Sequence, residues 1–253
     1  MATLLVGDDA PSEKYVSMKH VDCAALGIRS VDERLPATAT GAEVLAVVER
    51  FNADPSIHAR LLQHPFPAPL DYESILLRVD PAKDADGMHP VNLGLLVMGV
   101  AAPLSCTPAG IRALLVHHDV PIEGRHVVII GRGLTIGRPL ANLLALKWPN
   151  ANAAVTVVHT GVADLAAYTG QADILVAAAG SPGLVTAAMV KPGAAVVAAG
   201  VTFRNGKAVS DVDPEVAEVA GWLSPRIGGV GPMTRAMLYD NTVHAAERAV
   251  AGP

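Results

Sequence analysis

Short apolar runs alternate along the chain with stretches whose apolar positions recur every three to four residues. That alternation predicts parallel strands joined by crossover helices. Residues 3–6 read as the first strand, and Pro11-Ser12 opens a helix through Leu26 that Gly27 can terminate. Thr40 and Glu43 form a capping-box pattern ahead of a helix carrying Leu45, Val48 and Phe51 on one side. A strand over residues 57–62 follows, and Thr107-Pro108 is expected to cap another helix. From Val127 onward the runs predict strands near 155–159, 174–178 and 194–198, the strands of a second domain. A final amphipathic helix from 234 to about 250 is long enough to reach back onto the first domain.

The densest signal is VVIIGRGLTIGRP over residues 127–139, a buried strand running into a glycine turn and a helix start. Such a turn brings backbone N–H groups and a helix N-terminus to a pyrophosphate. Its spacing is G-x-G-x-x-x-G, through Gly131, Gly133 and Gly137, whereas a strict dinucleotide fingerprint puts the third glycine where Ile136 stands. A tight strand-to-helix turn without a ligand would use the same glycines.

Composition changes the picture mainly by exclusion. The 253 residues suffice for one large or two modest domains, and 51% hydrophobic against 17% charged residues suits packed helix-on-sheet layers. A net charge of −5 with no lysine or arginine run gives no footprint for nucleic acid. The longest apolar stretch, 93–104, is broken by glycine and proline and is too short for a bilayer, and no signal peptide is visible at Met1. Cys23 and Cys106 belong to no C-x-x-C pair, which fits a reducing, cytoplasmic setting. The nine histidines form no H-E-x-x-H or Cys/His ligand pattern, so no metal site is expected; His117-His118 is expected at a helix end.

The first domain holds the more specific chemistry. Tyr15 and Lys19 stand four apart on a helix and share a face, a pair that by itself reads equally as a lysine stem covering a ring. Gln63 follows a strand and is braced by His64-Pro65-Phe66-Pro67 at the strand's C-terminal edge, where α/β sheets bind ligands. Lys83-Asp84-Ala85-Asp86-Gly87 puts two carboxylates in a glycine-ended turn, which can also be an ordinary Asx turn.

Together these islands resemble the bifunctional methylenetetrahydrofolate dehydrogenase/cyclohydrolase family. The resemblance runs through VGDDAPSEKYVSMKH, LLQHPFP, VDPAKDADGMHPVNLG, SCTPAG, VVIIGRGLTIGRP, HTGVADL, ADILVAAAG, MVKPGAAVV and GGVGPMTRAMLYDNTV, in the family's order. It implies a two-domain α/β fold: a parallel-sheet folate-binding catalytic domain over 1–107, completed by a C-terminal helix over 235–253, and a Rossmann-like NAD(P)-binding domain over 108–234. It further implies oxidation of 5,10-methylenetetrahydrofolate to 5,10-methenyltetrahydrofolate, then hydrolysis to 10-formyltetrahydrofolate, by a cytoplasmic homodimer. Lys19 would be the general acid/base, Gln63 would hold its nitrogen, and Tyr15 would offer a stacking face and a hydroxyl. Asp86 would accept N–H bonds from the pterin edge, with Asp84 structural. Gly131, Arg132 and Gly133 would contact the cofactor phosphates, with glycine at 133 where many relatives have serine. Val201 would lie along the nicotinamide. The strand ending at His159-Thr160 lacks the acidic residue that grips an NAD ribose, and with Arg132 nearby this favours NADP over NAD, with Thr160 among the cofactor contacts.

Several positions depart from the family. A helix-bearing segment precedes the first strand in relatives, whereas here Leu4-Leu5-Val6-Gly7 comes at once, which would expose apolar surface on the first domain. Ala198 stands where aspartate is common, Arg226-Ile227 precede Gly228 in place of the usual residues, and His64 and Phe66 replace leucines. The rival readings are a paralogue with cyclohydrolase activity only, a non-catalytic folate or nucleotide binder, and a two-domain dehydrogenase acting on a small hydroxy acid.

Overall fold

In the computed structural model, which describes residues 1–204 and 207–251 and all their side chains but those of Phe203 and Lys207, the chain divides into two units. The first holds Met1–Leu95, Ala101–Leu104 and the chain from Leu238 onward, and the second holds Leu96–Val100 and Ser105–Met237.

In the first unit, β1 (Ala2–Val6) is buried along its whole length because a strand pairs with it on each side. The chain continues through α1 (Ala10–Ala25), β2 (Val31–Leu35), α2 (Gly41–Ala53), β3 (Arg60–Leu62), α3 (Tyr72–Leu76) and α4 (Pro90–Val97). The sheet order is β2-β1-β3, all parallel, with Ala2 opposite both Val31 and Arg60. A central parallel strand reads as unbroken apolar sequence, whereas β2, reading VDERL, lies at the edge with charges outward and was not evident from hydrophobic pattern. α1 starts at Asp9, whose carboxylate accepts the Ser12 N–H at 2.9 Å, and Gly27 follows its end at φ +70°. α2 starts with the expected capping box, Thr40 and Glu43 each accepting the other's backbone N–H. Its Val44, Val48 and Phe51 pack with Leu4, Val6 and Ile75 into the core.

The strand expected over 57–62 is shortened to Arg60–Leu62. Asp54-Pro55 makes a turn in which Asp54 accepts the Ser56 and Ile57 N–H groups, so the apolar run starts before the strand does. The carbonyls at the end of α2 are closed by Lys83, whose Nζ donates to Phe51 at 3.2 Å, Asn52 at 2.8 Å and Asp54 at 2.7 Å. Burial, first, lowers the pKa of this ammonium. Lys83→Met keeps the stem and removes all three donors, so we expect it to cost about 1–3 kcal/mol in a urea titration. An unmoved midpoint would mean that water serves those carbonyls equally well.

The second unit runs α5 (Cys106–His117), β4 (His126–Ile130), α6 (Gly137–Ala145), β5 (Ala154–Val158), α7 (Leu165–Thr169), β6 (Ile174–Ala177) and β7 (Ala195–Ala198). A hairpin of β8 (Val201–Arg204) and β9 (Lys207–Ser210), the short β10 (Trp222–Leu223) and α8 (Val230–Ala251) complete the fold. The main sheet is parallel in the order β10-β7-β6-β4-β5. Alternate residues face opposite sides: Val127 and Ile129 pack with Ile111, Leu115 and Leu140, while Val128 and Ile130 pack with Leu175, Val185 and Val196. β5 and β6 flank β4 on opposite sides, which makes the C-terminal end of β4 the topological switch point where such sheets bind ligands.

Two helix starts differ from expectation. The N-cap position of α5 is Ser105, without a side-chain cap bond, so Thr107-Pro108 sits in the first turn. α8 begins at Val230, so Thr234 lies inside it and donates its hydroxyl to the Val230 carbonyl at 3.1 Å. The glycines at 228, 229 and 231 had suggested a later start. The helix belongs to the second unit through Met237 and to the first from Leu238. His117 ends α5 and His118 caps it, as the dipole favours. Among the described residues, no helix is long and apolar enough to cross a membrane and no His/Cys/Asp/Glu group could hold a metal ion. Cys23 and Cys106 are both buried, and neither is in a disulfide among the described residues.

Candidate functional site

On the first unit, α1 carries Tyr15 and Lys19 one turn apart. Lys19 is nearly buried, 9% exposed, and Tyr15 is 41% exposed, so the ring is open to a ligand while the ammonium is enclosed. The Lys19 Nζ donates to Gln63 Oε1 at 2.9 Å and stands 5.9 Å from the centroid of the Tyr15 ring. Gln63 follows β3 directly, its N–H donating to Leu4 at 2.9 Å, and its amide is fixed from the other side because Nε2 donates to the His64 carbonyl at 2.8 Å. A carboxamide held at both ends presents one lone-pair-bearing oxygen to the lysine and fixes the direction of its nitrogen. Sequence placed these three residues on suitable elements; the structure brings them together.

The turn after α3 supplies carboxylates with separate duties. Asp84 is 4% exposed and accepts from the Gly87 and His89 N–H groups and the Asn92 side chain at 3.2, 2.7 and 3.0 Å. It is used up in holding the turn, as the sequence suggested for it. Asp86 is half-buried, and its charge, with that of Asp84, adds to burial in raising the pKa of the Tyr72 phenol. Tyr72 in turn meets His64 and Phe66 edge-on, at 4.9 and 5.3 Å between centroids. Tyr72 therefore packs on the Gln63 turn while sensing the charge of the Asp86 turn, and nothing in the sequence marked it. Arg60, 1% exposed, braces the same turn from below by donating to the Val48 and Asp80 carbonyls, and desolvation lowers its pKa to about 10.

Two further residues come from the far end of the chain. The Tyr239 hydroxyl donates to Asp22 Oδ2 at 2.9 Å and lies 3.3 Å from the Lys19 carbonyl, and the Asn241 amide donates to the carbonyls of Ala85 and Leu104, both at 2.9 Å. The C-terminal part of α8 thus fastens both the helix of Lys19 and the turn of Asp86. At 217 and 156 residues of separation, such bonds leave no periodic signal.

On the second unit, Gly131 follows β4 at φ +119°, and a Cβ there would stand 2.2 Å from the Ala178 carbonyl oxygen. A Cβ on Gly137 would stand 2.1 Å from the Gly131 oxygen, so this glycine, one place later than in the strict fingerprint, is demanded by close backbone packing. Gly133 has open space around it, and Gly133, Arg132 and Thr160 are exposed. α6 follows Ile136 with no side-chain cap; the Arg138 N–H is taken by the Gly133 carbonyl at 3.2 Å and Pro139 has none, so of its first turn the Gly137 N–H is the one to offer an anion. Ile130 pairs with Val158 and Ala177, and Ala177 with Ala198, so Gly131, Thr160 and Val201 follow neighbouring strand ends along one sheet edge. Val201 is 40% exposed there. Of the departures, Ala198 donates its N–H to Ser224 Oγ at 2.8 Å, Arg226 donates to the Ala208 carbonyl at 3.1 Å, and Ile227 is exposed.

The catalytic-domain model of tetrahydrofolate dehydrogenase/cyclohydrolase matches residues 1–86 and the NAD(P)-binding-domain model of the same proteins matches residues 105–250. The chain belongs to the tetrahydrofolate dehydrogenase/cyclohydrolase family. It is 54% identical over 247 residues to the bifunctional protein FolD of Syntrophotalea carbinolica, covering 98% of this chain and 85% of that one. The crystal structure of the bifunctional FolD enzyme of Campylobacter jejuni superposes with a TM-score of 0.93 at 41% identity, over 97% of this chain and 87% of that chain. That of the Trypanosoma brucei dehydrogenase-cyclohydrolase, complexed with NADP cofactor and inhibitor, gives 0.92 at 36%, over 99% and 87%. The resemblance carried by the sequence islands and the two-domain fold with parallel sheets are therefore both secured for this family member.

Proposed function

We propose that the chain oxidises 5,10-methylenetetrahydrofolate to 5,10-methenyltetrahydrofolate with NADP and hydrolyses that product to 10-formyltetrahydrofolate. The observation that carries the reading is the enclosed Lys19–Gln63 pair beside the open Tyr15 ring, in a chain that matches the bifunctional family nearly end to end. The first unit is the folate half and the second is the cofactor half, which the sequence put at 108–234.

Tyr15 offers its face to the folate, and Asp86 accepts N–H bonds from the pterin edge. Both fix the one-carbon bridge near Lys19, which is the protein's share of the first step. In the second step water adds to the cationic methenyl carbon and a proton must pass to the departing ring nitrogen. Lys19 carries that proton, taking it from the adding water and passing it to the nitrogen as a positioned general acid/base. Gln63 keeps the amine aimed by accepting its hydrogen bond.

The residues present fit a dinucleotide. Gly131 and Gly137 let the backbone fold tightly at the end of β4, the exposed Arg132 and the Gly137 N–H would serve a phosphate, and Gly133 leaves room for close approach. When bound, NADP supplies the acceptor for the hydride. Arg132 and Thr160, with no carboxylate at the end of β5, favour a 2′-phosphate, and Val201 lies along the nicotinamide. A homodimer in a reducing, cytoplasmic setting completes the reading.

The test is cofactor reduction by the purified chain with 5,10-methylenetetrahydrofolate, comparing NADP and NAD, alongside formyl product from supplied methenyl substrate. Turnover in both assays is expected, with NADP preferred. Formyl product alone would favour a cyclohydrolase-only paralogue, and silence from a folded protein would overturn the reading. Asp86→Asn turns a donor toward the pterin N–H groups and is expected to raise the folate KM by about 10–100-fold. An unchanged KM would remove Asp86 from the site.

A further inference from the structure

We infer that Asp211 is a positioning residue for the cofactor half of the reaction: its buried carboxylate holds the Ala179-Gly180 turn in the place that the dinucleotide requires. The inference rests on the reading of the second unit as the NADP-binding half. Asp211 follows the β8–β9 hairpin and is 0% exposed. Its Oδ2 accepts both the Ala179 and the Gly180 N–H at 2.8 Å, and its own N–H donates to the Gly200 carbonyl at 3.1 Å. One residue, by its side chain and its backbone, therefore ties the turn after β6 to the turn after β7.

The tie extends to the glycine turn after β4. Gly131 lies against the Ala178 carbonyl too closely for any side chain, so the peptide that Asp211 fixes at 179 is continuous with the surface on which Gly131 rests. On the other side, a Cβ on Gly200 would stand 1.8 Å from the same Oδ2, so glycine is needed there for the carboxylate to reach its donors. The hydroxyl of Thr202 adds a bond to the Gly180 carbonyl at 3.0 Å, closing the turn from the hairpin. The three segments held together, after β4, β6 and β7, are those along the C-terminal edge at and beside the switch point, where a dinucleotide lies. No other side chain among the hydrogen bonds of the described residues serves both the 179 and 180 donors. Asp211 Oδ1 is buried with no hydrogen-bond partner among the described residues, so the two N–H bonds need only one acceptor oxygen. Asparagine can supply that oxygen; alanine cannot.

The experiment uses the full chain as wild type, Asp211→Ala, Asp211→Asn and Gly200→Ala, and reads the NADP KM of the dehydrogenase reaction beside cyclohydrolase turnover. Asp211→Ala and Gly200→Ala, which respectively remove and displace the carboxylate, are expected to raise the NADP KM about tenfold or more with cyclohydrolase turnover within about twofold of wild type. Asp211→Asn is expected to restore the NADP KM to within about threefold. A purely structural role would lower both activities in parallel, and that result, or an unchanged NADP KM in both the alanine variants, overturns the inference. If Asp211→Ala does not fold, Gly200→Ala decides alone. A wild-type protein that reduces no NADP overturns the cofactor reading itself, and the inference with it, which separates the two failures.

Discussion

Lys19→Met is expected to lower cyclohydrolase turnover by about 10²–10⁴-fold, the range typical of losing a positioned general acid/base. Methionine keeps most of the stem that fills the space between α1 and β3, so the change removes the nitrogen and little packing. What is lost is the group that Gln63 holds at 2.9 Å; Gln63 itself has no proton to exchange near neutrality, and the centroid of the Tyr15 ring lies 5.9 Å from the ammonium. The folate KM should move far less, since Tyr15 and Asp86 provide the binding. Stopped-flow or steady-state hydrolysis of the methenyl substrate reads the effect, with circular dichroism to show that the variant is folded. Turnover within a few-fold of wild type would remove Lys19 from the chemistry and leave the Lys19–Gln63 bond as a structural one. Gln63→Ala provides the graded control, because it leaves the amine present but unaimed and should fall between the two.

How far these features could be read from sequence depends on the distance over which each interaction acts. The capping box at Thr40 and Glu43 was legible because both partners lie within one turn and their chemistry is local. The glycine turn after β4 was legible because backbone packing at Gly131 and Gly137 permits no other residue without strain. β2 was not, since an edge strand carries charge where a core strand carries valine. The run 57–62 misled because Ile57 looks like a strand residue while Asp54 binds it into a turn. Thr234 misled in the opposite sense, because Gly228, Gly229 and Gly231 read as one loop although the helix starts at Val230 and only Gly231 of the three lies inside it. Tyr72, Asp211, Tyr239 and Asn241 were silent because each acts on a partner that only the folded chain brings near. The Lys19–Gln63 pair is the intermediate case. Each residue stood on a sensible element, but their separation of 44 residues gave no reason to join them without the resemblance to a family.

Gly131→Ala should separate the two activities most sharply. The residue sits at φ +119°, a conformation that costs a side-chain-bearing residue about 1–3 kcal/mol. The added methyl would also have to fit 2.2 Å from the Ala178 oxygen and 2.8 Å from its carbon, both backbone atoms at a strand end, so neither can turn aside as a side chain could. Overpacking of that kind costs about another 1–3 kcal/mol. The turn must open, which moves the N–H groups that face the phosphates and the peptide that Asp211 fixes. A displacement of this size is expected to raise the NADP KM about a hundredfold or abolish reduction, with cyclohydrolase turnover, which needs no cofactor, within a few-fold of wild type. Gly133→Ala is the informative companion, because that position has open space and no left-handed φ. It should leave thermal stability unchanged, so any loss of cofactor affinity there would come from the cofactor's own approach to the backbone. If Gly131→Ala reduced NADP as well as wild type does, the glycine turn would be a packing device only. The phosphates would then have to be sought elsewhere along the sheet edge.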